Sequence, residues 1–290
     1  MGSIVRGISM TVVGVLGIVI ALLAILSIAT WAFQERVAFQ PERPPYPDPG
    51  NTPRVDYTAS DGQKLFAYVI GDPSSAPGLI LAFHGNADLA VRQIDWAREI
   101  VSRTGMAVML TEYRGYMGLR GRPTYEGSHL DAEAAYAFAR DSLHIPANHF
   151  AFFGHSLGTG IAAELAVRHP PRVLILEAPF TSARDMAALV MGRWINSFFW
   201  PTISRLHFDT QSLVRALDVP VSVAHGGRDR VIPSRMGEAV FGAACIKGEW
   251  LFVPEASHSN AGELGGESYW QWIEKSLAPF TAESKTKEAR

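Results

Sequence analysis

The chain reads as an α/β protein: a mostly parallel sheet covered by helices on both faces, with a small lid, preceded by one transmembrane helix. Three observations predict this. From Arg54 onward, short apolar runs alternate with helically spaced stretches, the order that a parallel sheet with helices on both faces requires. A glycine-flanked serine, Gly154-His155-Ser156-Leu157-Gly158, stands between one such run and one such helix. Ahead of both, Ile8 to Phe33 is a run of 26 residues without a charge.

Residues 1–7 form a short N-terminal segment, and 8–33 form the anchor. As a helix the anchor extends about 39 Å at 1.5 Å per residue, more than a ~30 Å hydrocarbon core, so it tilts or ends at the interface. Trp31, Phe33 and Phe39 stand where an aromatic belt belongs. Ser27-Ile28-Ala29 has the small residues of a cleavage site, but the apolar run exceeds the usual signal core of about 7–15 residues, which favours an uncleaved anchor. Arg6 and the amino terminus on one side are balanced by Arg36 and Arg43 on the other, so charge does not fix the orientation. Arg6 also stands where myristoylation of Gly2 needs Ser or Thr.

Residues 34–53 read as a Pro-rich linker, with six prolines between Gln40 and Pro53 that favour an extended spacer. The catalytic domain follows over 54–280. It opens with a hairpin, Arg54–Ala59 and Lys64–Ile70, around Ser60-Asp61-Gly62-Gln63. A strand at 78–83, a helix near 89–103, a strand at Met106–Glu112 and a helix near 124–142 lead to the strand before the serine. Residues 281–290 form a polar tail that frays. Because the candidate catalytic residues all lie beyond the spacer, their chemistry is expected to survive removal of everything before Arg54.

The pattern G-x-S-x-G arises by chance in about one chain of this length in ten, so the weight falls on what accompanies it. Here the strand Phe150-Ala151-Phe152-Phe153 precedes it and a helix opens at Thr159, which exposes the serine hydroxyl at a strained strand-to-helix turn. A serine nucleophile needs a base, and the base needs an acid to fix its tautomer. Asp229 follows the strand Val219–Ala224, and His258 follows the strand Glu249–Val253. In a parallel sheet those loops share one edge, so Ser156, Asp229 and His258 form the expected triad. Glu177, Glu255 and Asp209 are the competing acids. His84 and His225 are expected to brace loops, and His155 to lie buried beside the turn. The strand at 78–83 ends in His84-Gly85-Asn86, so the backbone N–H groups of Asn86 and Leu157 are the expected oxyanion donors.

The phrases Phe83-His84-Gly85-Asn86-Ala87, Tyr113-Arg114-Gly115-Tyr116, Gly121-Arg122-Pro123, Leu130-Asp131-Ala132, the serine pentapeptide and His225-Gly226-Gly227-Arg228-Asp229 carry a resemblance. Together they resemble the α/β-hydrolase superfamily, in its Bem46-like branch with the ABHD13- and ABHD17-like serine hydrolases. The resemblance spans Arg54 to about Phe280. It implies an α/β-hydrolase fold, frequent membrane tethering and, for part of the branch, removal of palmitoyl groups from proteins. Met117 stands where the family usually has glycine, which implies a different local turn.

With 26 Lys and Arg against 28 Asp and Glu, the net charge is −2, and no basic field exists to collect nucleic acid. Cys245 is the only cysteine, which excludes an internal disulfide and a cysteine metal cluster; no metal and no cofactor are implied. Residues 184–217 have the length of a lid. Trp194, Phe198, Phe199 and Trp200 are its substrate-pocket candidates, because bulky residues at successive positions cannot all bury on one helical face. The sequence therefore points to a membrane-anchored serine hydrolase cleaving acyl esters or thioesters, with the lipid bilayer as partner and a small ester, a lipid or an acylated protein as substrate. The alternatives are a serine peptidase of the same fold and a catalytically silent, membrane-tethered binding module.

Overall fold

A computed structural model describes residues 2–192, 200 and 204–280. It opens with helix α1 (Gly2–Ala38). At 37 residues this helix is about 55 Å long, so it outreaches a bilayer core by nearly half its length. Within it, Gly14–Ala38 is long and apolar enough to cross a membrane. Val15, Leu16, Ile18, Ile20, Leu22, Ile25 and Ile28 all stand exposed, as expected of a surface facing lipid. The helix runs past Phe33 to Ala38, into residues the sequence assigned to the linker. Gln34-Glu35-Arg36-Val37-Ala38 contains no helix breaker, and the prolines begin only at Pro41.

Eight strands form one sheet: β1 (Arg54–Thr58), β2 (Lys64–Ile70), β3 (Leu79–Phe83), β4 (Ala107–Thr111), β5 (Phe150–His155), β6 (Val173–Glu177), β7 (Pro220–Gly226) and β8 (Ile246–Val253). Their order is β1-β2-β4-β3-β5-β6-β7-β8. The β1–β2 and β2–β4 pairs are antiparallel, and every later pair is parallel. Strands β3 to β6 are buried nearly throughout, which is why their sequences are continuous apolar runs without polar alternation.

Among the described residues the chain also forms helices α2 (Ile94–Thr104), α3 (Tyr125–Asp141), α4 (Leu157–Arg168), α5 (Ala183–Met191), α6 (Thr210–Arg215), α7 (Ser234–Ala243), α8 (Ala261–Gly265) and α9 (Glu267–Ser276). Contacts run from α3 to α4, from α4 to α6 and from α6 to α7, while α2 meets α9. The chain leaves β3 for β4 on one side, then returns to β5 on the other. Such a reversal opens a crevice at the carboxyl ends of the strands, and the loops after β3 and β5 flank it.

Candidate active site

Ser156 sits between β5 and α4 with φ 52° and ψ −116°, a conformation that costs a non-glycine residue about 1–3 kcal/mol. The surroundings hold it there. Its N–H donates to the carbonyl of Glu177 at 3.0 Å, and its own carbonyl accepts from the N–H and hydroxyl of Thr159 at 3.0 and 2.6 Å. A Cβ on Gly158 would run into the carbonyl of Phe83, and one on Gly154 into that of Gly158. Bare backbone at both positions lets the helix start press against the strands.

The next two sequence candidates meet this serine. Ser156 Oγ lies 2.8 Å from His258 Nε2, and His258 Nδ1 lies 2.7 Å from Asp229 Oδ2. With Nδ1 donating to the carboxylate, Nε2 is left as the acceptor for the serine hydroxyl. Asp229 has a buried side chain whose other oxygen accepts from the N–H groups of Val231 and Ile232, each at 2.8 Å. Burial alone would raise its carboxyl pKa; the hydrogen bonds from His225 and His258 outweigh burial and hold it well below the usual carboxylate range. The His225 ring is fully buried, with Nε2 2.9 Å from the carbonyl of Ile232 and 3.4 Å from Asp229. His155, half-buried rather than buried, lies with Nε2 3.1 Å from the backbone carbonyl of His258 and braces that loop.

The competing acids have other partners. Glu177 accepts from the hydroxyl of Tyr269 at 2.7 Å, Glu255 pairs with Arg228, and Asp209 caps α6 by accepting from the N–H of Ser212 at 3.1 Å.

The turn after β3 is fixed from below. His84 Nε2 lies 2.8 Å from Glu112, whose other oxygen accepts from the N–H of Ala90 at 3.1 Å. Burial works against a charged His84, but the adjacent Glu112 carboxylate prevails and raises its pKa. Tyr113 donates to the His84 carbonyl at 2.9 Å. Beyond this brace, Asn86 Oδ1 accepts from the N–H of Gln40 at 2.7 Å and from Tyr116 at 2.9 Å. Leu157 opens α4, where a first-turn N–H has no carbonyl four residues back within the helix.

Asn86, Ser156 and Leu157 all line one cavity of about 510 Å³. Trp200, among the lid aromatics, lines it too, whereas Trp194, Phe198 and Phe199 lie outside the described residues. The wall from α5 falls at the start of the segment the sequence assigned to the lid, whereas the wall from α1 was missed. The only advance signal was Gln34-Glu35, a polar pair inside a stretch that continues helical. Among the described residues, no group of three or more His, Cys, Asp or Glu side chains is arranged to hold a metal.

A family model described as serine aminopeptidase S33 matches residues 74–215. The chain is 28% identical to WAV2, an alpha/beta hydrolase domain-containing protein of Arabidopsis thaliana, over 94% of this chain and 95% of that one. It is 29% identical to an uncharacterized protein of Mycobacterium tuberculosis, over 81% and 84%. To the lysophosphatidylserine lipase ABHD12 of Bos taurus it is 31% identical, over 66% of this chain but 51% of that protein. Among solved structures, the esterase Pf2001 of Pyrococcus furiosus superposes with a TM-score of 0.63 at 16% identity, covering 82% of this chain and 98% of that one, a likeness of fold.

Proposed function

The chain belongs to the α/β-hydrolase family, and from that premise we propose a membrane-anchored serine hydrolase that cleaves acyl esters or thioesters through an acyl-enzyme. One observation carries the reading: the continuous relay from Ser156 through His258 to Asp229, at 2.8 and 2.7 Å.

Ser156 Oγ attacks the acyl carbonyl while His258 Nε2 takes its proton, and Asp229 holds the ring in the tautomer that permits this. The carbonyl oxygen becomes an oxyanion facing the N–H groups of Leu157 and Asn86, each contributing a factor of about 100 to 1,000. Collapse of this intermediate expels the alcohol or thiol, which receives the proton from His258. Water, deprotonated by His258, then attacks the acyl-serine, and a second collapse releases the acid and restores Ser156. Helix α1 supports placing this chemistry at a bilayer.

The name of the matching family model favours a second reading, an aminopeptidase. Such an enzyme must hold a substrate ammonium, and among the described residues those lining the cavity include no Asp or Glu. Two assays test the choice: covalent labelling by a fluorophosphonate, and turnover of p-nitrophenyl esters against aminoacyl p-nitroanilides. The hydrolase reading expects labelling and ester turnover. Preferred cleavage of the anilides would overturn it in favour of the peptidase, and the absence of labelling and of both activities would favour a silent binding module.

A further inference from the structure

One wall of the Ser156 cavity is the anchor helix. Thr30, Phe33, Gln34, Val37 and Ala38 line it, a 3-1-3-1 spacing that places all five on one face of α1. Ala183, Met186, Ala187 and Val190 line it from α5, again on a single face. The helix is pinned in this position. Glu35 is buried, lies 3.0 Å from the Arg205 guanidinium and accepts from the N–H of Tyr125 at 3.2 Å. Gln34 Oε1 accepts from the N–H of Arg205 at 2.7 Å, and the Arg205 guanidinium lies 5.2 Å from the centre of the Trp31 ring.

The mouth of this cavity is apolar where a water-facing cleft would be polar. Val37 is 68% exposed, Val190 87%, Val231 54% and Phe33 50%, and all four line it. Phe33 and Val37 stand on the last turns of α1, a helix apolar enough to cross a membrane, and exposed apolar side chains there are what a lipid-facing surface presents. The cavity is thus continuous with the face of α1 that meets the bilayer.

Resting on the hydrolase reading above, we propose that the last turns of α1 are the chain-selecting wall of the active site. A single acyl chain of a bilayer-resident amphiphile enters between α1 and α5, with its carbonyl at Ser156. The two helix faces then grip the chain, and Val37 and Ala38 limit how much of it fits.

The test uses the full chain in phosphatidylcholine vesicles and p-nitrophenyl esters from acetyl to palmitoyl. The proposal expects kcat/KM to rise with chain length, by up to ~4-fold per methylene while the cavity fills. Val37→Trp should move the optimum to shorter chains and Phe33→Ala to longer ones, whereas Ile28→Trp, on exposed helix outside the cavity, should not move it. Fluorophosphonate labelling of each variant reports whether it is folded and competent. Labelled Val37→Trp and Phe33→Ala variants that both keep the parent optimum would overturn the wall. An alkyl fluorophosphonate with a terminal diazirine gives a second readout: it joins Ser156 Oγ to phosphorus with loss of fluoride, and irradiation should cross-link its tail to α1 or α5. Cross-links confined to other elements would overturn the entry route even where labelling upholds the hydrolase. A parent protein that neither labels nor turns over esters would overturn the hydrolase reading itself.

Discussion

Gln40 donates its backbone N–H to the side-chain oxygen of Asn86 at 2.7 Å, which joins the segment leaving helix α1 to the turn proposed to bind the oxyanion. The junction is reinforced on both sides. Phe39 is buried at 3% exposure, and Arg92 makes a bidentate pair with Glu42 at 2.6 and 2.7 Å. An exposed pair of this kind contributes up to ~1 kcal/mol, so the burial of Phe39 holds the segment more firmly than the charges do. The stretch that reads as a spacer is therefore packed against the catalytic domain.

Removing that stretch should damage catalysis even on soluble substrates, contrary to the expectation from sequence alone. A chain beginning at Arg54 lacks Phe39, Gln40 and the α1 wall, so among the described residues Asn86 keeps Tyr116 alone as a side-chain tether. Displacement of a catalytic turn by about 1 Å can cost ~100-fold, and a fall of ~10- to 100-fold in kcat/KM on p-nitrophenyl acetate is expected. A chain beginning at Trp31 should recover most of the loss. Equal kcat/KM for the two truncated chains would show that the segment is only a tether.

The difference between these expectations has a physical origin. Ser156, Asp229 and His258 were legible because each follows a strand, and a parallel sheet delivers such loops to one edge. Glu177 could not be set aside from sequence, because its partner Tyr269 arrives from a helix 92 residues later. The wall formed by α1 was illegible for another reason. Residues facing lipid and residues facing an acyl cavity are equally apolar, so Phe33 and Val37 carry no mark distinguishing them from Ile25 or Ile28. Contacts made by Glu35 and Gln34 with distant residues, Tyr125 and Arg205, fix which face turns inward.

The relay should behave as one unit. Ser156→Ala is expected to abolish fluorophosphonate labelling, and His258→Ala to lower esterase turnover by several orders of magnitude. The double variant should be scarcely worse than either single one, since each alone disables the same step. Near-normal turnover by a purified, folded Ser156→Ala protein would remove Ser156 from the mechanism.

Two glycine substitutions should have opposite signs. In an open helical position, alanine is favoured over glycine by up to ~1 kcal/mol. Gly242, in α7, has no neighbour within 4 Å of an added Cβ, so Gly242→Ala should raise the Tm slightly. At Gly158 the added methyl meets the Phe83 carbonyl and lies 2.8 Å from that of His84. Overpacking of this kind costs about 1–3 kcal/mol, which exceeds the propensity gain, so Gly158→Ala should lower the Tm and displace Ser156. Thermal unfolding of the pair checks both signs; a stabilised Gly158→Ala would mean that α4 can withdraw from β3.

The acid of the relay can be separated from its nearest rival by pH as well as by rate. Asp229→Asn should retain the fold but lose ~10⁴-fold in turnover, because an amide no longer imposes the required tautomer on His258. Glu177→Gln should instead keep activity, since an amide oxygen still accepts from Tyr269. The lowered pKa of Asp229 means that its ionised form favours the folded state. That contribution is complete above the unfolded aspartate value of ~3.9 and is lost only as pH falls below it, toward the lower folded value. Between pH ~5 and ~8, Asp229 stays charged and adds no slope to stability, so the acid limb of kcat/KM should not report titration of Asp229. The parent and Glu177→Gln proteins should share that limb. A limb displaced by Glu177→Gln, with Asp229→Asn still active, would move the acid from β7 to β6.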